Sequence, residues 1–116
     1  MSNPYANTAI VVGNDGMGHG DITLRRKVVT TYFRALLESG NLPKIILFYT
    51  QGVQLLAGNS PCLTELRALA DAGVQLLGCR TCVEFFKLGD SVAVGEIGNM
   101  LDVIEAQGAA EKVITL

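Results

Sequence analysis

The stretch Gly73-Val74-Gln75-Leu76-Leu77-Gly78-Cys79-Arg80-Thr81-Cys82-Val83-Glu84-Phe85-Phe86 decides how this chain folds and where its chemistry sits. A short apolar run with strand character ends at Gly78, a Cys-x-x-Cys follows, and Val83 to Phe86 reads as the opening of a helix. Two thiols therefore stand at the C-terminal end of a strand, over the first turn of a helix. In an open α/β sheet this edge gathers ligands and reactive groups, because strand ends and helix N-termini leave a crevice lined with unpaired N–H donors.

The thiolate is the nucleophilic form, and a free cysteine of pKa near 8.5 is only about 3% ionised at pH 7. Chemistry at neutral pH asks for a lowered pKa. Helix N-terminal amides, the cation of Arg80 and a neighbouring sulfur are the groups that the sequence offers for this. Two other readings of Cys79 and Cys82 compete: buried sulfurs filling the crevice floor, or half of a zinc site. The metal reading is the weakest, since the other soft ligands, Cys62 and His19, lie far apart in sequence and no second Cys-x-x-Cys occurs. No resident metal or cofactor is expected.

Working outward, Thr8 to Gly13 is a β-branched run without alternation, the mark of a strand buried on both faces, and Pro43 to Tyr49 is a second. Residues before Thr8 read as a frayed start. Asp21 caps a helix that carries Leu24, Val28, Tyr32, Phe33, Leu36 and Leu37 on one face, and Gly40 ends it. A loop at Thr50 to Asn59 leads to a helix with Ser60 as cap, Pro61 at its first position and Leu63, Leu66, Leu69 and Ala70 as its stripe. Beyond the cysteines, Ser91 to Gly95 reads as a fourth strand. Asn99 caps a last helix bearing Leu101, Val103 and Ile104, and Lys112 to Leu116 closes the sheet. Strands alternating with helices at this spacing mean parallel βαβ units, hence an α/β fold: a three-layer α/β/α sandwich on a mostly parallel sheet of about five strands.

A chain of 116 residues is expected to form a single domain over 1–116. With 49% hydrophobic and only 17% charged residues, it is apolar for a small monomer, which points to a homo-oligomer. The longest apolar run, around Ile45 to Tyr49, is too short to span a bilayer, and Met1-Ser2-Asn3-Pro4 lacks the regions of a signal peptide. A cytoplasmic location with reduced thiols is expected, away from membranes. The net charge of -2 leaves no electrostatic footprint for nucleic acid.

Other residues are secondary candidates. Gly13-Asn14-Asp15-Gly16-Met17-Gly18-His19-Gly20-Asp21 follows the first strand and opens a helix, but it has neither the glycine spacing of a dinucleotide fingerprint nor the Lys-Ser/Thr ending of a P-loop. Gly16, Gly18 and Gly20 would let the backbone approach a small anion, a sulfane sulfur or a partner chain, or they serve plain turns. His19, the only histidine, is a candidate proton donor or thiolate partner against the reading of an exposed loop residue. Arg25-Arg26-Lys27 sets three cations near a helix start, against the macrodipole; a docking face for an acidic partner competes with a solvated face. Cys62 reads as small and buried. Asn99 is an N-cap that could also reach the cysteine crevice, and Phe85, Phe86 and Tyr49 are core candidates that could shield a persulfide.

The order Phe48-Tyr49-Thr50-Gln51-Gly52-Val53, then Cys79-Arg80-Thr81-Cys82, then Gly95-Glu96-Ile97-Gly98-Asn99-Met100 resembles the DsrE/DsrF-like family, most nearly the C-terminal domain of the YedF sulfurtransferase-like proteins. The family pattern has asparagine where Thr50 stands and glycine where Arg80 stands. The resemblance implies a DsrE-like α/β fold, assembly as trimers or hexamers, and a sulfur-relay role in which persulfide sulfur, or selenium, passes between protein thiols. Cys79 takes the carrier position, with Cys82 as second thiol and Arg80, Thr81, His19 and Asn99 in support. The implied partners are a protein sulfur donor and an acceptor, a TusA-like protein being the candidate. Two rivals stay open: a thiol–disulfide redox protein that carries no sulfur atom, and a ligand- or partner-binding regulatory module with structural cysteines.

Overall fold

In a computed structural model that describes residues 3–116, the chain runs β1 (Thr8–Val12), α1 (Ile22–Ser39), β2 (Ile45–Phe48), a 3-10 helix (Thr50–Leu56), α2 (Leu63–Asp71), β3 (Gln75–Cys79), α3 (Arg80–Phe85), β4 (Glu96–Gly98), α4 (Met100–Ala109) and β5 (Lys112–Thr115). The strands form one sheet in the order β4-β3-β2-β1-β5, with every pair parallel. From β1 to β4 each connection steps one strand the same way. The last connection returns across three strands to place β5 beside β1. Crossovers of one hand that reverse direction must change face, and the core divides accordingly.

On one face Val29, Phe33 and Leu36 of α1, Leu66 and Leu69 of α2 and Val83 of α3 pack on Ile10, Val12, Ile46, Phe48 and Leu76. On the other, Val103 and Ala106 of α4 cover Ala9, Val11, Ile45, Leu47 and Leu77. Alternate residues of β1 thus serve opposite layers, which is why the strand is apolar at every position but Thr8.

Helix ends follow the sequence closely. Asp21 accepts a hydrogen bond from the Thr23 amide at 2.8 Å, Gly40 adopts φ 73°, and Asn99 forms a reciprocal capping box with Asp102. Helix α2 starts later than expected, at Leu63. The Ser60 hydroxyl accepts from the Cys62 amide at 3.3 Å, so Ser60 and Pro61 belong to the preceding turn.

Three further expectations differ from what is found. The fourth strand is Glu96–Gly98, not 91–95: the Ala93 amide donates to Leu56 O and Ser91 O accepts from Gly58, so the backbone before Gly95 is paired with the end of the 3-10 helix and cannot join the sheet. In α1, Leu24 and Val28 are exposed, because the buried stripe runs through Val29, Phe33 and Leu36. In α4, Val103 is buried while Leu101 and Ile104 are 66% and 56% exposed, since the helix touches the sheet along one narrow edge. Of the start expected to fray, Met1 and Ser2 lie outside the described residues. Residues 3–7 form a turn fastened by the Asn3 side-chain amide on Leu42 O at 3.0 Å and by Lys112 Nζ, 4.8 Å from the centre of the Tyr5 ring.

Candidate functional site

Strand β3 runs straight into α3: Cys79 is both its last residue, in register with Gly98 of β4, and the N-cap of the helix. No loop intervenes. A ladder residue beside β4 is enclosed by its neighbours, and Cys79 is only 2% exposed. Its side chain makes no capping hydrogen bond to the first-turn amides. The six-residue α3 is also too short to offer much of a macrodipole. The stabilisation of a thiolate at Cys79 by helix amides is therefore not what the geometry provides.

Cys82 lies three residues on and is half-buried rather than enclosed. All three thiols are free, and Cys79 and Cys82 stand near one another at the start of α3. The Thr50 backbone N–H donates to Cys82 Sγ at 3.0 Å. Burial pushes the Cys82 thiol above its ordinary range; the Thr50 hydrogen bond opposes this, and the nearby Cys79 adds to it. Raised in this way, Cys82 rests as a thiol at neutral pH.

Thr50 holds its amide on the sulfur at φ 52°, in the left-handed region that a β-branched residue rarely enters. The conformation costs on the order of 1–3 kcal/mol and persists only where its surroundings impose it. They do so here through two hydrogen bonds, from the Tyr49 amide to Val12 O at 3.2 Å and from the Gly52 amide to Tyr49 O at 2.9 Å. Gly52 itself lies against the Val12 carbonyl so closely that a β-carbon would overlap its oxygen. The end of β1 thereby fixes an amide of the 3-10 helix onto a sulfur of α3.

The remaining candidates are placed as follows. Arg80 and Thr81 are exposed beside the pair, and the ion pairs among the described residues belong to Arg25, Arg26 and Arg34 rather than to Arg80. Asn99 sits next to the edge, after Gly98, but its Oδ1 accepts from the Asp102 amide at 3.0 Å and is occupied by capping. His19 is exposed on the loop after β1, and that strand is separated from β3 by β2.

The loop of Gly16, Gly18 and Gly20 folds onto α1. The Met17 amide donates to Arg25 O at 3.0 Å, a β-carbon on Gly16 would stand 2.7 Å from the Arg25 carbonyl carbon, and Gly18 and Gly20 adopt φ 80° and 119°. These glycines have turn duties. Asp15 pairs with Arg25 at 2.8 Å and Arg26 at 3.6 Å, so the basic helix start has its compensation in this loop. Cys62 is fully buried, raised in pKa chiefly by that burial, with Sγ 3.5 Å from Ser60 Oγ. Phe86 is partly buried and Phe85 is 78% exposed, one turn from Cys82 on α3. Sequence reasoning did not pick out Thr50 as a contact of the thiol; the one signal was its departure from the family's asparagine.

A cavity of about 390 Å³ opens at the opposite end of the sheet, between α4 and the starts of β2, β3 and β4, lined by Gln75, Leu77, Glu96, Glu105 and Ala109 among others. It does not reach the cysteines. Among the described residues no helix is long and apolar enough to cross a membrane.

No family model and no curated protein matches the chain. Solved structures do. The YchN protein of E. coli superposes with a TM-score of 0.73 at 16% identity, over 96% of this chain and 99% of that one. The fold is DsrE-like. The protein of unknown function MTH1491 from Methanobacterium thermoautotrophicum has the same DsrE-like arrangement at a TM-score of 0.71 and 16% identity, with 96% and 99% of the chains covered. The conserved protein of unknown function BT1422 from Bacteroides thetaiotaomicron follows at 0.67 and 15% identity, with 95% of each covered. Thr50 donates its amide to the Cys82 sulfur from a backbone conformation that asparagine enters with less strain, and Arg80 is exposed at the start of α3.

Proposed function

We propose that the protein is a sulfur-relay carrier that moves sulfane sulfur between protein thiols on the Cys79–Cys82 pair. The observation that carries this reading is the pairing of two free, neighbouring thiols at the sheet's C-terminal edge, one of them only half-buried and hydrogen-bonded by a backbone amide. A persulfide needs that combination: an accessible sulfur, a donor to hold its charge and a second thiol to release its cargo. Selenium would travel by the same steps. A donor or acceptor protein, of TusA-like type, would meet the exposed Phe85 one turn from Cys82, and copies of the chain would assemble through the exposed apolar residues of α1 and α4.

Incubation with polysulfide followed by intact-mass measurement tests the relay. The wild-type protein gains sulfur, and the Cys79→Ser/Cys82→Ser double variant does not; equal gain by both would remove the pair from the chemistry. The spacing of two free thiols three residues apart on one helix turn also favours a second reading, a thiol–disulfide redox protein. That protein would form the Cys79–Cys82 disulfide with oxidised dithiothreitol and gain no sulfur mass with any donor.

A further inference from the structure

We infer that Cys82, not Cys79, is the thiol that receives sulfur, that the Thr50 backbone amide positions it, and that Cys79 is the resolving thiol. The inference rests on the relay reading for its chemistry, but the ranking of the two thiols stands on geometry alone. Attack by a thiolate requires approach of the sulfane sulfur along the line of the breaking S–S bond. Cys79, at 2% exposure and locked into the ladder against Gly98, offers no such approach. Cys82, on the first turn of α3, is half-buried and so is the more accessible of the two sulfurs.

Thr50 contributes the polar contact that the exposed neighbours do not. Its N–H points at Cys82 Sγ from 3.0 Å, and the strain at φ 52° shows that the chain is held there by the Val12 and Tyr49 contacts rather than resting there by preference. A hydrogen bond to a sulfur anion is stronger than one to a neutral thiol. The amide therefore favours ionisation of Cys82 and stays within reach of the anionic persulfide that forms on it.

The first step is Cys82–S⁻ plus a donor R–S–SH giving Cys82–S–SH plus R–S⁻. One S–S bond forms, one breaks, and the donor thiolate leaves with the electron pair. The persulfide then either passes its outer sulfur to an acceptor thiolate in the same manner, or is attacked at Cys82 Sγ by the Cys79 thiolate. In the second case a Cys79–Cys82 disulfide forms and hydrosulfide leaves, the outer sulfur being reduced as the two cysteines are oxidised. A dithiol reductant then resets the pair.

Three measurements on the full chain test the assignment. With limiting iodoacetamide and peptide mass mapping, Cys82 is modified at least about tenfold faster than Cys79 or the buried control Cys62; equal or faster modification of Cys79 overturns the ranking. In an NMR pH titration of Cys79→Ser, the Thr50 amide proton moves with the ionisation of Cys82. Exchange of the residue 50 N–H for an ester oxygen raises that pKa by about one to two units. An amide that ignores the titration overturns the positioning role.

With polysulfide, Cys79→Ser gains and retains one sulfur, Cys82→Ser gains none, and the wild type first gains one sulfur and then releases it as hydrosulfide while its disulfide accumulates. Loading of Cys82→Ser but not of Cys79→Ser overturns the assignment. If no variant or wild type loads while the alkylation order and the Thr50 response hold, the relay reading fails and the ranking of the thiols stands.

Discussion

Replacing Gly52 by alanine should strike the fold and the thiol site together. Gly52 lies where the 3-10 helix crosses the end of β1. A β-carbon there would overlap Val12 O and stand 2.8 Å from the Val12 carbonyl carbon, where ordinary contact begins at 3.4 Å. The obstacle is backbone, so no side chain can rotate away; the crossing segments must part by at least the 0.6 Å between those two distances. That movement carries the Tyr49 amide, already 3.2 Å from Val12 O, out of hydrogen-bonding range. Forced overpacking costs about 1–3 kcal/mol, and the lost backbone hydrogen bond about 1 kcal/mol more. A combined loss near 3 kcal/mol lowers Tm by about 10 °C in a domain of this size.

Because the Thr50 amide rides on the same segment, Cys82 also loses its donor, and its alkylation at pH 8 should slow by about tenfold. Urea unfolding and alkylation rates measured on Gly52→Ala give both numbers. Gly58→Ala is the control, since its β-carbon would meet nothing nearer than Ser91 O at 3.9 Å. A Gly52→Ala protein within about 0.5 kcal/mol of wild type, with unchanged Cys82 reactivity, would refute the crossing as the support of the site.

Two further outcomes follow from the caps and the buried thiol. Asn99→Ala removes the Oδ1 that accepts from Asp102 and opens the capping box of α4, so urea unfolding should show a loss of about 1 kcal/mol, with Asn99→Ser recovering most of it. Cys62 has its folded pKa raised above the ordinary thiol value, chiefly by burial, so the folded state binds its proton more tightly than the unfolded chain. Its contribution is complete below that ordinary value and is lost as pH rises through the folded value. Stability measured from pH 8 to 11 should therefore fall, and fall less steeply in Cys62→Ala; an unchanged slope would count against a buried thiol there.

The doubly buried strands were legible because every residue of Ala9–Val12 and Ile45–Phe48 faces one of two apolar layers, and such runs leave an unmistakable pattern. The caps at Asp21, Gly40 and Asn99 were legible because each depends on the chemistry of one side chain or its absence. Strand β4 was not, being three residues long with Glu96 exposed, while Val92 and Val94 just before it imitate a strand. The phase of α1 and α4 was not, because Leu24, Val28, Leu101 and Ile104 are apolar yet exposed, and the pattern alone does not show which apolar residues the sheet leaves uncovered.

The cysteine pair shows where sequence and structure part company most instructively. A Cys-x-x-Cys at a strand-to-helix junction suggests that its first member is the exposed and activated one, since it precedes the helix and faces the free amides. That inference assumes a turn between strand and helix. Here none exists: the ladder extends through Cys79 itself, and pairing with Gly98 imposes burial on whichever side chain occupies that register. Three residues on and on the same side of the helix, Cys82 packs at the rim of the core and is only half-buried. The polar partner then comes not from α3 but from a main-chain N–H of the 3-10 helix, thirty-two positions away in sequence. A main-chain donor leaves no residue type to recognise. What can be recognised is the backbone shape that aims it, and Thr50 disguises even that, because a threonine at φ 52° is a choice that only the tertiary contacts of Val12, Tyr49 and Gly52 can enforce.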